Sequence, residues 1–214
     1  MSTILTDIEA RVLGSLIEKQ VTTPEYYPLT LNALTLACNQ KNNRYPVTSY
    51  TENQVSDAVE RLREKNLAYV FYGSTSRVPK YKHVVPEVMR LTHPEVALMC
   101  VLMLRGAQTL GELRGNAARL HDFSSLEEVE QTLNALITRD EPLVARLPRQ
   151  PGQKEGRFAH LLSGEINLEA LAESERAAAA TPSRRSSLEE KIDALTAEVA
   201  SLKEQFEQFK KQFE

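Results

Sequence analysis

The chain has no tryptophan, two cysteines and few aromatics, 6% of its 214 residues. Deep aromatic pockets are therefore not expected. Cys38 and Cys100 each lie among apolar neighbours in segments of helical pattern, so buried reduced thiols are expected rather than a disulfide or a metal site. No basic stretch followed by an apolar run opens the chain, so no signal peptide is expected. The longest apolar run, Val96 to Leu104, is about half of what a membrane span needs. A cytoplasmic protein with no membrane contact follows as the expectation. A Gly-rich phosphate loop is missing, as is a Gly-x-Ser-x-Gly elbow. His83, His93, His121 and His160 are scattered and lack metal-ligand spacing. The reading is a non-enzyme without metal or cofactor. Strong positive charge is lacking too. Residues 1–86 carry ten basic and eight acidic side chains, residues 87–164 nine and ten, and residues 165–214 seven and eleven, within a net charge of −3. Tight nonspecific nucleic-acid binding, which needs many phosphate contacts, is thereby disfavoured.

What is present is organised around residues 29–84. Thr30 caps a short helix with Leu31, Leu34 and Ala37 on one side. A polar loop, residues 39–50, follows, longer than the three to four residues or so of a simple helix-turn-helix. Thr51-Glu-Asn-Gln54 is a capping box, and Val55, Ala58, Val59 and Leu62 mark the inner face of the helix behind it. Leu67–Tyr72 and Pro79–Val85 have strand composition around the turn residues Gly73–Arg77. Before all of this, Thr6-Asp-Ile-Glu9 caps a first helix to about Gln20 with Ile8, Val12, Leu13, Leu16 and Ile17 on one face and a polar face opposite. Helix, helix, helix, strand, turn, strand is the pattern of a winged helix-turn-helix.

The plan returns in the second half. Leu5-Thr6-x-x-Glu9 recurs as Leu91-Thr92-x-x-Glu95, Thr30-Leu31-x-x-Leu34 as Thr109-Leu110-x-x-Leu113, and Lys80-Tyr-Lys-His83 as Arg157-Phe-Ala-His160. Ser125 with Glu128 opens the counterpart of the third helix, whose inner residues are Val129, Leu133 and Leu136. The fold class expected is mainly α with small β wings: winged-helix domains at 1–86 and 87–164, a linker at 165–187, and a heptad helix at 188–214. One difference between the copies stands out. Val96 to Leu104 is apolar on every side, and such a helix must be buried on every side, between the two domains or in a dimer interface, unless Met99 and Met103 merely fill an ordinary core. In the tail, Leu188, Ile192, Leu195, Val199, Leu202, Phe206, Phe209 and Phe213 step by alternating fours and threes. This heptad seam points to a parallel homodimer, or else to a stripe that packs back on its own domains or a tail that is only partly ordered.

The strings Arg11-Val-Leu-Gly-Ser-Leu-Ile-Glu-Lys19, Thr22-Thr-Pro24, Tyr27-Pro-Leu-Thr-Leu-Asn32, Ala37-Cys-Asn-Gln-Lys41 and Ser76-Arg-Val-Pro-Lys-Tyr81 resemble the YceH family of bacterial proteins. The resemblance is dense in the first half and looser to about residue 164. It implies a pair of winged-helix domains and supplies no catalytic or binding residue.

For nucleic acid, the candidate residues are in the first half. Lys41, Asn42, Asn43, Arg44 and Tyr45 lie on the long loop, and Thr51, Asn53, Gln54 and Ser56 at the start of the third helix, where base edges are usually reached. Arg77, Lys80 and Lys82 would hold phosphates from the wing. Glu52, Asp57, Glu60 and Glu64 on the same helix oppose phosphate, and Glu127, Glu128 and Glu130 crowd the counterpart helix. Two readings follow. One is a dimeric DNA-binding regulator. The other is a protein-interaction scaffold of paired winged helices, as in chromosome-segregation subunits of the ScpB type. A contiguous positive surface from Arg44 to Lys82 favours the first; interruption by Glu52 and Glu60 favours the second.

Overall fold

Hydroxyl residues open the main helices, each supplying a hydrogen bond that the first turn cannot make for itself. Thr6 begins α1 (Asp7–Thr22), Thr30 begins α2 (Leu31–Cys38), and Thr51 begins α3 (Glu52–Glu64). In the second half Thr92 precedes α5 (His93–Arg105), Thr109 begins α6 (Leu110–Ala117) and Ser125 begins α7 (Leu126–Ile137). At Thr92 the bond runs the other way: the Glu95 carboxylate accepts from the Thr92 N–H at 2.7 Å and from its hydroxyl at 2.8 Å. Each such cap contributes about 1 kcal/mol. A short α4 (Val85–Met89) joins the halves and ends on Arg90 in the left-handed region, φ 51°. The sequence pattern had extended a strand to Val85, and Pro86 in the first turn of α4 is the local reason it becomes a helix instead.

The structure is a computed structural model that describes residues 4–72, 78–149, 155–164 and 166, all within the compact unit spanning residues 1–166. The described residues are mainly helical, with two small antiparallel sheets. In the first, β1 (Leu29–Thr30) and β2 (Ala68–Phe71) flank β3 (Lys80–His83), with Leu29 opposite Tyr81 and Ala68 opposite His83. The second pairs β4 (Val144–Arg146) with β5 (Phe158–His160), placing Val144 opposite His160. Gln108 bridges Phe158 through reciprocal backbone bonds of 3.0 and 2.8 Å. It thereby occupies the place that Leu29 holds in the first half, one residue before the helix cap in each case. The sequence repeat is a repeat of topology and register.

The halves share one core. Every residue from Val96 to Leu104 of α5 is buried, as its all-round apolar pattern requires. Its principal neighbour is α1, where Gly14 permits the approach. A Cβ on Gly14 would stand 3.0 Å from Leu104 Cγ and 3.3 Å from Met103 Cβ. The Cys100 thiol donates to the Gly14 carbonyl at 3.3 Å. This packing corrects the polar face read for α1. Glu9, Arg11, Ser15 and Glu18 are all buried with the apolar residues. Leucines and valines this deeply buried stabilise by roughly 1.5–3 kcal/mol each, so the α1–α5 seam is a large part of what holds the unit together.

Among the described residues no helix is long and apolar enough to cross a membrane. Arg77, the linker apart from residue 166, and the whole heptad series Leu188, Ile192, Leu195, Val199, Leu202, Phe206 and Phe209 lie outside the described residues.

Candidate functional site

The long polar loop, residues 39–50, is closed and pinned. Asn39 shuts its ends by accepting from Tyr50 N at 2.8 Å and donating to Tyr50 O at 2.7 Å. From below, Arg11 donates to Pro46 O at 2.6 Å, Cys38 O at 3.1 Å and Thr48 Oγ1 at 3.2 Å. Burial, then the nearby Arg44 charge, lower the Arg11 pKa from its ordinary value. The loop also reaches across to α5: Tyr45 N donates to Leu104 O at 2.9 Å, and Arg105 donates to Asn43 Oδ1 at 3.0 Å. Asn43 is left-handed, φ 57°, a conformation that asparagine tolerates better than most residues.

Arg44 is the main correction to the residues expected at a nucleic-acid surface. Its side chain has no exposed surface. The guanidinium forms a two-pronged pair with Glu18, at 2.6 and 3.2 Å, and donates twice to Ala37 O. Every direction in which it might meet a base is filled by protein. Lys41, Asn42 and Asn43 remain exposed on the loop.

On α3 the cations are spoken for. Arg61 Nε lies 3.0 Å from Glu9 Oε1 and Lys65 Nζ 2.6 Å from Glu9 Oε2, and Arg63 pairs with Glu60. Glu9 is fully buried beneath them. Burial would raise its pKa, but Lys65, the Thr6 N–H and Arg61 together hold it below the ordinary value. Thr51 and Gln54 are exposed yet occupied with each other in the capping box, and Asn53 is exposed between them. Glu52 accepts from Asn32 Nδ2 at 2.9 Å, while Asp57 and Glu64 face solvent. The outward face of α3 is thus acidic and carries no unengaged cation.

The second half repeats this sign. Glu127 is exposed and Glu130 partly exposed at the start of α7. Glu128 accepts from Ser124 N at 2.8 Å and Ser124 Oγ at 2.7 Å, which with His121 hold its pKa low. The short turn before α7 is held by Arg114, which donates to the carbonyls of Phe123 and Ser124. It does for the short turn what Arg44 and Arg11 do for the long loop.

His83 and His160 take matching positions on β3 and β5, as the repeat predicts. Burial, with Lys82 adding repulsion, pushes His83 down to about 4. Burial likewise pushes His160 to about 4, partly offset by Asp7. His83 Nδ1 accepts from Val85 N at 3.3 Å and so helps to start α4. Lys80 and Lys82 lie half-buried on β3, with no carboxylate partner among the described residues. A surface cleft of about 580 Å³ is lined by Met89, Arg90, Arg139, Asp140, Glu141 and Leu143 among others. It contains no histidine or cysteine. Among the described residues no group of His, Cys, Asp or Glu could hold a metal.

Comparison with known proteins returns one family. Residues 5–153 match the family model described as a protein of unknown function, DUF480. The chain is 49% identical to a UPF0502 protein of Geobacter sulfurreducens over 223 aligned residues covering all of both chains. It is 50% identical to one of Pelobacter propionicus, again over the full length of both. A relative in Vibrio atlanticus is 46% identical over 98% of this chain and 97% of its own.

Proposed function

The chain belongs to the DUF480 family, the UPF0502 proteins of bacteria, and we propose that it is a protein-interaction scaffold made of two tandem winged helix-turn-helix halves. The carrying observation is the sign of the third helix in each half. In a winged helix that reads DNA, this helix enters the major groove and needs cations to offset phosphate. Here Arg61, Arg63 and Lys65 are consumed by Glu9 and Glu60, Arg44 is buried, and Glu52, Asp57 and Glu64 face outward. Such a face fits a basic protein surface. Three helices followed by an antiparallel strand pair in both halves, with β1 in the first and the Gln108 bridge in the second at the sheet edge, support the winged-helix assignment. The heptad seam at 188–214 would make the scaffold a dimer, and Leu195→Asp would then halve the mass measured by light scattering.

The test has two arms. A photo-crosslinking side chain placed at Asp57 or Glu127 captures a discrete protein in bacterial cells, and Glu52→Lys with Glu64→Lys abolishes that capture while the melting temperature holds. In parallel, mixed genomic DNA fragments titrated from about 50 to 200 mM salt show no steep loss of affinity. Steep, saturable, fragment-selective DNA binding would overturn the scaffold in favour of a DNA-binding regulator. That second reading draws on the exposed Asn53 and on Lys80 and Lys82, which have no carboxylate partner among the described residues. Under it, Lys82→Ala weakens binding across all sequences and lowers the salt slope by about one ion.

A further inference from the structure

The two faces of the first sheet differ in chemistry. Along β2 and β3, the pairs Ala68–His83 and Val70–Tyr81 lie toward the core, and the pairs Tyr69–Lys82 and Phe71–Lys80 lie outward. Paired positions share a face because strand side chains alternate. The outward face therefore holds two aromatics two residues apart on one strand, each opposite a lysine on the next. Tyr69 is 37% and Phe71 43% exposed, and Tyr72, at the end of β2, is 68% exposed. Exposed aromatics grouped on one sheet face, rimmed by polar residues, mark a contact surface. The strands β1, β2 and β3 contain no acidic residue. The Lys82 ammonium lies 4.7 Å from the centroid of the Tyr69 ring.

The cations about α3 and the long loop differ from these two lysines. Arg44, Arg61, Arg63 and Lys65 each have a carboxylate within salt-bridge distance. Lys80 and Lys82 have none among the described residues, and both flank exposed rings. We infer that this face, carried by Tyr69, Phe71, Lys80 and Lys82, is a stacking platform for single-stranded nucleic acid. Unpaired bases stack on aromatic rings without regard to sequence, and adjacent lysines take up the phosphates. A duplex offers the rings nothing, because its bases already stack on one another. An acidic peptide would satisfy the lysines but leave the rings without flat partners. This inference is separate from the scaffold reading, which concerns α3 and α7.

The experiment uses the full chain with a fluorescein-labelled oligothymidylate of about 20 nucleotides and a duplex of the same length, followed by anisotropy. The single strand is expected to bind at least tenfold more tightly than the duplex. Tyr69→Ala and Phe71→Ala should each weaken single-strand binding about tenfold and leave the salt slope unchanged, since stacking carries no charge. Tyr69→Phe should restore binding. Lys80→Gln and Lys82→Gln should each lower the salt slope by about 0.7. The substituted residues are exposed or half-exposed, and an unchanged thermal melt confirms that each variant is folded. Equal affinity for duplex, displacement of the oligonucleotide by polyglutamate at equal charge concentration, or indifference to both alanine variants would overturn the inference. Glu52→Lys with Glu64→Lys should leave the preference for single strand over duplex intact, which separates this result from the fate of the scaffold.

Discussion

Arg44 Nη2 meets Glu18 Oε2 at 2.6 Å under the long loop, in a place where the arginine side chain has no exposed surface at all. The pair joins the last turns of α1 to the loop that follows α2, and the arginine's remaining donors fall on Ala37 O and Asn43 O. A buried ion pair of this kind contributes little net stability, but breaking it by removing one partner leaves a buried charge uncompensated.

Arg44→Ala is therefore expected to destabilise the protein by about 3–5 kcal/mol, through Glu18 and not through any ligand. Replacing both partners, Arg44→Met with Glu18→Leu, should recover most of that loss. Urea unfolding midpoints of the two variants make the comparison. Equal destabilisation by the single and double substitutions would show that the pair is not the source.

Stability should fall with acid, in two stages. His83 and His160 titrate near 6.5 when unfolded and are pushed to about 4 by burial in the fold. Between those values the unfolded chain binds the proton and the folded chain refuses it, so stability is complete above pH 6.5 and declines toward pH 4. For His83 the full loss is on the order of 3 kcal/mol. Glu9, depressed below its ordinary 4.5, adds a second loss: its contribution is present above pH 4.5 and disappears as pH drops through the lower folded value. Urea midpoints from pH 7 to 4 should trace the first stage, and His83→Asn should remove His83's share of it, leaving that of His160.

Gly14 sets how closely α1 and α5 approach. Gly14→Ala should be nearly neutral, because the better helix propensity of alanine, about 1 kcal/mol, offsets the shift it demands of Leu104. Gly14→Val brings two further methyls against Leu104 and Met103 and should cost about 1–3 kcal/mol by overpacking. Thermal melts of the pair resolve the difference, and a stable valine variant would contradict the packing described.

Both cysteines should be silent toward a thiol reagent in the native state. Burial pushes Cys38 up to about 11 and raises Cys100 as well, so at pH 8 neither offers a thiolate. Reaction with Ellman's reagent should become rapid only in denaturant. Fast native labelling of Cys100 would mean that α5 is not covered on every side.

The repeat, the helix starts and the all-round burial of α5 were legible because they rest on local signals: a hydroxyl before an apolar period, an acid or amide three residues on, a run without a polar face. What was not legible was non-local. Glu9, Arg11, Ser15 and Glu18 look like the wet side of an amphipathic helix. They are buried because Arg61 and Lys65, more than fifty residues away in sequence, close over Glu9, and because Arg11 and Arg44 hold loop carbonyls. A chain of Asn, Lys, Arg and Tyr between two helices reads as a surface reaching for a ligand. Arg44 in fact faces inward, because the loop is long enough to fold back upon α5. Composition alone could not distinguish a loop that reaches out from one that is tied down.

The placement of Val96–Leu104 has a last consequence. A duplicated chain usually behaves as beads on a thread, each copy folding and turning on its own. Here the thread has been drawn through both beads, since the first helix of the second copy is also the wall of the first. A cut near Arg90 would not release two modules; it would leave two exposed oily faces. The unit spanning residues 1–166 should accordingly melt in one transition, with α3 and α7 both built on one shared core.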